Sequence, residues 1–125
     1  MRILTVFTFF STIYTVFGAE IAALSPKTAE IIVNSIKIIE GTNSSYPYGI
    51  KSIQIKGNTQ EKREKYARMI CFNTVNKNYI RWQKSGKTNQ FMVFLGNRYC
   101  PVQGDKTGLN RHWINNLRKV SKLNF

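Results

Sequence analysis

Acidic side chains are scarce in this chain of 125 residues: 6 Asp and Glu stand against 19 Lys and Arg, with a single histidine. One histidine excludes a two-histidine nuclease. It also leaves no His/Cys cluster spaced like a metal centre. A His–carboxylate pair would have to join His112 to Glu61, Glu64 or Asp105, and the two glutamates are spaced for ion pairs on a helix surface. No nucleophile-elbow pattern supports a Ser–His–Asp arrangement. "SGKT" at 85–88 looks like the end of a phosphate loop, but Arg81 stands where that motif needs its first glycine. A turn is expected there. No catalytic residue, metal or cofactor is expected.

Long apolar runs are equally few. Met1-Arg2 gives a positive start, Ile3 to Phe17 carries no charge, and small residues follow at Gly18 and Ala19. This is the pattern of a secretory signal peptide with cleavage after Gly18. The run falls short of the roughly 20 residues of a membrane anchor, and no later segment is apolar enough to span a bilayer. Residues 19–125 are then one secreted domain, expected to be a monomer. Removing Arg2 with the leader leaves 18 Lys and Arg against 6 Asp and Glu, a net charge of +12. That excess attracts polyanions: nucleic acid, anionic membranes, wall polymers or acidic protein faces. Cysteine is limited to Cys71 and Cys100, without a CxxC spacing. In an oxidising compartment this pair reads most simply as one disulfide.

Periodicity supplies the elements. "SPKTAEIIVNSIKIIE" at 25–40 reads as a helix, capped by Ser25, opened by Pro26 and stopped by Gly41. Its isoleucines leave a strand possible for part of it. "GTNSSYPYG" at 41–49 is a loop with a glycosylation sequon at Asn43. Residues 50–57 read as a short strand. Residues 59–75 are the clearest helix, with Asn58 as its cap, Glu61–Lys65 and Glu64–Arg68 pairs, and Cys71 facing inward. "NYIRWQ" at 78–83 alternates like a half-exposed strand. "QFMVFLG" at 90–96 is apolar on both faces, like a central strand. "RYCPV" returns as an edge strand after a turn at 96–97. Residues 110–123 form either a basic amphipathic helix, with Trp113, Leu117 and Val120 inward, or a short closing strand. The expected fold is α+β: a small twisted antiparallel sheet packed against one central helix, with an additional N-terminal helix and one disulfide.

On that layout a basic–aromatic surface gathers on neighbouring hairpins: Tyr79, Arg81, Trp82, Lys84, Lys87, Arg98 and Tyr99, with Lys106 and Arg111 beside them. Aromatic faces stack on bases and cations hold phosphates, so these are the candidate nucleic-acid or partner-binding residues. Trp82 and Tyr99 serve a core equally well.

"YPYG" at 46–49 and "YIRWQKSGKTNQFMVFLGNRYC" at 79–100 resemble the Tyr-Pro, the central strand and the returning strand of fungal guanyl-specific ribonucleases. With the leader, the size and the basic charge, the chain resembles the ribonuclease-like secreted effectors of powdery-mildew fungi. The cysteine positions depart from that group, and the catalytic Glu, Arg and His of the true enzymes have no counterparts. The resemblance implies a catalytically inactive ribonuclease-like scaffold, translocated into host plant cells. There it would bind host RNA or a host protein, with recognition by a plant immune receptor as one consequence. The other classes compatible with the residues are an active small basic ribonuclease or toxin, and an extracellular polyanion-binding module.

Overall fold

The computed structural model describes residues 14–16, 19–42 and 44–124. The expected secretory leader lies outside them except for Tyr14–Val16, and so does the sequon residue Asn43. Tyr14–Val16 (β1) pairs antiparallel with Ala19–Ile21 (β2), Thr15 opposite Glu20. Beyond this pair the described residues are built from four helices: α1 (Pro26–Glu40), α2 (Gln60–Lys84), α3 (Phe91–Tyr99) and α4 (Leu109–Ser121). The antiparallel sheet against a central helix is therefore not formed, and the fold is helical.

Helix α1 follows its local signals. Ser25 Oγ accepts from Thr28 N–H, Pro26 occupies the first turn, and Gly41 closes the helix at φ 93°. Helix α2 starts one residue later than expected, with Thr59 rather than Asn58 accepting from Lys62 N–H. It then runs straight through the expected strand at 78–83. The buried set Ala67, Cys71, Val75 and Asn78, continued by half-buried Trp82, keeps the three- and four-residue spacing of a helix throughout. Asn78 masks this period because a polar residue occupies a core position. It is only 3% exposed, and its Nδ2 donates to Thr74 O at 2.7 Å.

The apolar run at 91–99 is also helical. It is too short for periodicity to separate a buried strand from a buried helix. Phe91, Met92, Leu95 and Gly96 are all buried, and Val93 and Phe94 half-buried, because other helices surround α3. The expected strand at 50–57 is irregular chain, and the expected edge strand at 98–102 is the end of α3 followed by a loop.

Helices α1 and α3 each pack against both α2 and α4. Ile32, Val33 and Ile36 meet Ala67, Cys71 and Val75, then Phe91, Met92 and Leu95, and finally Trp113, Ile114 and Leu117 in one core. Three polar links set the ends. Trp113 Nε1 donates to Glu40 Oε1 at 2.8 Å, tying α4 to the last turn of α1. Asn110 Nδ2 donates to Asn97 Oδ1 and to Cys100 O at 2.6 Å, holding the start of α4 at the end of α3. Arg118 Nη2 donates to Gln90 Oε1, so the end of α4 lies at the start of α3 and the two helices run antiparallel. Gly96 is the point of close approach in this pair. A Cβ there would come within 2.8 Å of Ile114 Cδ1 and closer still to Cγ1.

The expected disulfide is also absent: Cys71 and Cys100 are free thiols. The Tyr99 hydroxyl, not Cys100, meets Cys71 Sγ at 3.4 Å, and the Tyr99 ring stacks on Trp113 with centroids 4.8 Å apart. Burial pushes the Cys71 thiol up to about 11.

Tyr48 locks α1 to α2. It sits in a single 3-10 turn, Pro47–Gly49, at φ 57°, where a bulky residue is strained by roughly 1–3 kcal/mol. The surroundings over-determine it. Tyr48 is 1% exposed, its hydroxyl donates to Glu64 Oε1 at 3.1 Å, and Arg68 Nη1 donates to that hydroxyl oxygen at 3.4 Å. Glu64 also pairs with Lys37 of α1, and Arg68 Nη1 donates to Asn34 Oδ1 at 2.8 Å.

Candidate nucleic-acid interface

The charge is unevenly spread along the chain. From Lys65 to the C-terminus there are twelve Lys and Arg and one acid, Asp105. That acid is committed to the fold. Its carboxylate accepts from the backbone N–H of Thr107, Leu109 and Asn110, capping α4, whose N-cap residue Gly108 has no side chain to do so. These N–H bonds, Asn110's foremost, hold its carboxyl below the ordinary carboxylate value. The other two acids weighed as partners for His112 lie on α2. Glu64 belongs to Lys37, whose ammonium holds the Glu64 carboxyl low, and to Tyr48. Glu61 is exposed in the first turn. His112 is exposed on α4.

Helix α4 is amphipathic by construction. Trp113, Ile114 and Leu117 turn inward. Arg111, Asn115 and Arg118 recur at intervals of four and three, which places them in one line along the outside, and Lys122 follows at the left-handed C-cap. His112 and Lys119 flank that line, and every one of these residues except half-buried Arg118 is exposed. The expected inward set Trp113, Leu117 and Val120 matches, with Val120 only half-buried.

The line continues onto α2 and α3 through the bond from Arg118 to Gln90. Gln90 lines a shallow hollow together with Trp82, Lys87, Thr88, Asn89 and Val93. Lys87, at φ 56°, is folded back so that its Nζ lies 5.4 Å from the Trp82 ring centroid. Trp82 Nε1 donates to Asn89 O at 2.7 Å, which fixes the indole as one wall. Arg81 and Lys84 stand exposed in the last turn of α2 beside it.

The structure divides the sequence-predicted residues. Arg81, Lys84 and Lys87 come together at the end of α2. Arg111 lies at the other end of the α4 line, with Lys106 in the loop before it. Arg98 is exposed at the end of α3, on a separate pocket. Tyr79 and Tyr99 are not stacking platforms. Tyr79 packs edge-on against Phe91 at 5.1 Å, and Tyr99 stacks on Trp113 with its hydroxyl held at Cys71. Arg118, Lys119 and Lys122 were absent from the sequence-based set, although the amphipathic period of 110–123 carries them. The assembled surface offers cations and amides to a phosphate chain and few free aromatic faces to bases.

Among the described residues there is no His/Cys/Asp/Glu group that could hold a metal ion, and no helix is long and apolar enough to cross a membrane. Comparison with protein-family models, with curated proteins and with solved structures returns no match.

Proposed function

We propose that the chain is a secreted, non-enzymatic binding protein that grips RNA by its phosphate backbone along the outer face of α4. The observation that carries this is the line Arg111–Arg118–Lys122, flanked by Lys119 and joined through Gln90 to the Trp82–Lys87 hollow, with no carboxylate among its members. Cations spaced along one helix follow a phosphate chain and gain affinity by releasing its counterions. Contacts of this kind position a nucleic acid without reading its sequence. Binding that tolerates sequence is the expected behaviour.

An effector role in a host cell keeps the leader, the small size and the basic charge as its support. The ribonuclease-like scaffold no longer contributes to it. The test is binding of labelled single-stranded RNA across a salt series, with heparin as competitor and with the Arg111→Gln/Lys119→Gln/Lys122→Gln variant in parallel. Steep salt dependence, lost in step with these charges, is the expected result. Equal preference for heparin would move the assignment to a general polyanion-binding module. Cleavage of the RNA, abolished by His112→Ala, would overturn the non-enzymatic assignment.

A further inference from the structure

A second site lies away from α4. A pocket of about 320 Å³ opens between the irregular segment 49–53, the middle of α2 and the end of α3. Its size is at the small end of the range for small-molecule sites, roughly 300–1,000 Å³. Ile50, Ile53, Ile70 and Tyr99 supply apolar wall, while Lys51 and Arg98 are the only charged residues that line it. Neither cation has an ion pair among the described residues. Lys51 rests its Nζ 5.5 Å from the Tyr46 ring centroid. Ile53 is 49% exposed, although branched apolar side chains are usually inside. It gives the cavity an uncovered apolar wall next to two unpaired cations. Tyr99 cannot move to fill the space, because its ring is stacked on Trp113 and its hydroxyl is at Cys71.

We infer that this pocket binds a small amphipathic anion: an apolar body against Ile50, Ile53 and Ile70, with one carboxylate, sulfonate or phosphate held by Arg98 and Lys51. Apolar walls with a few convergent polar groups are the usual composition of such sites, and a planar guanidinium suits an oxyanion in two-point contact. No residue of α4 lines the pocket, so this site stands apart from the proposed RNA surface.

The probe is 1-anilinonaphthalene-8-sulfonate, an aromatic body with one anionic group, followed by its fluorescence in titration with the full secreted chain. One saturable site is expected. Octanoate and phenyl phosphate serve as competitors that separate carboxylate from phosphate preference, and displacement by either supports the site. Losing one charge-assisted contact in Arg98→Gln or Lys51→Gln weakens the site about tenfold or more. Thermal melts of both variants are expected to match the parent. The Arg111→Gln/Lys119→Gln/Lys122→Gln variant leaves probe binding unchanged while weakening RNA binding. Probe binding that is indifferent to both pocket charges, that follows the α4 charges instead, or that is absent overturns the inference. None of these results alters the RNA titration, so failure of one site is distinguishable from failure of the other.

Discussion

Replacing Gly96 by alanine tests the contact that turns the basic face of α4 outward. In an open helix the change would stabilise the protein by about 1 kcal/mol, because alanine is the better helix former. Gly96 is not open. A methyl group there would crowd Ile114 Cγ1 and Cδ1, with Trp113 Cε3 at 3.5 Å behind them, and Ile114 is only 6% exposed. Overpacking of a filled core costs about 1–3 kcal/mol. The clash therefore outweighs the gain in propensity, and the net loss expected is about 1–2 kcal/mol, allowing for the upper part of that range. For a domain near this size that is a fall in melting temperature of roughly 5–10 °C. Urea and thermal unfolding followed by circular dichroism read both quantities. Ile114→Ala alone should cost about 2–5 kcal/mol. In the double variant the new methyl enters the vacated space, so the combined loss falls short of the sum by about 1 kcal/mol. A Gly96→Ala protein more stable than the parent, or strict additivity in the double variant, would refute the α3–α4 packing.

Other outcomes follow from the same structure. Native protein treated with iodoacetamide at pH 8 should gain one adduct, at half-buried Cys100, and a second at Cys71 only on unfolding, since burial raises the Cys71 thiol to about 11. Thiols that stay blocked until a reductant is added would contradict the free pair. Tyr48→Phe removes the hydroxyl that bonds Glu64 and Arg68 and should cost about 1 kcal/mol in a urea titration; an unchanged midpoint would refute the lock. Glu64 has its carboxyl lowered from 4.5 by Lys37, and Lys37 is raised from 10.5 by Glu64. Their contribution is therefore complete between those two values. It fades as pH falls through the folded value of the carboxyl or rises through that of the ammonium. The stability difference between the parent and Glu64→Gln, read from melts across pH, should shrink below pH 4.5; a constant difference from pH 7 to pH 3 would remove the charge from the account.

Local signals were legible where they act over a few residues. Ser25, Pro26 and Gly41 bound α1 as their chemistry requires, and the amphipathic period of α4 is visible in the order of its letters. The middle of the chain was not legible in the same way. Asn78 in a core position made one long helix look like a helix and then a strand. The run from Phe91 to Gly96 is apolar all round because α2 and α4 both pack against it, which is also how a central strand looks. Two cysteines in a chain with a leader pattern invite a disulfide, yet only the packing shows that Tyr99 takes the place next to Cys71. Half of the proposed binding surface was legible for the same reasons that the other half was not. Arg81, Lys84 and Lys87 are close in sequence. Their connection to Arg118, Lys119 and Lys122 depends on the antiparallel run of α3 and α4, which local sequence does not encode.

The salt dependence of RNA binding tests the central claim most directly. Each phosphate contact on a single strand contributes about 0.7 to the slope of log K against log salt. About six contacts, from the α4 line and the end of α2, give an expected slope of about −4. Arg111→Gln/Lys119→Gln/Lys122→Gln removes three of them and should bring the slope to about −2, with the melting temperature unchanged. A variant slope equal to that of the parent, or a parent protein that binds no RNA at low salt, would contradict the account.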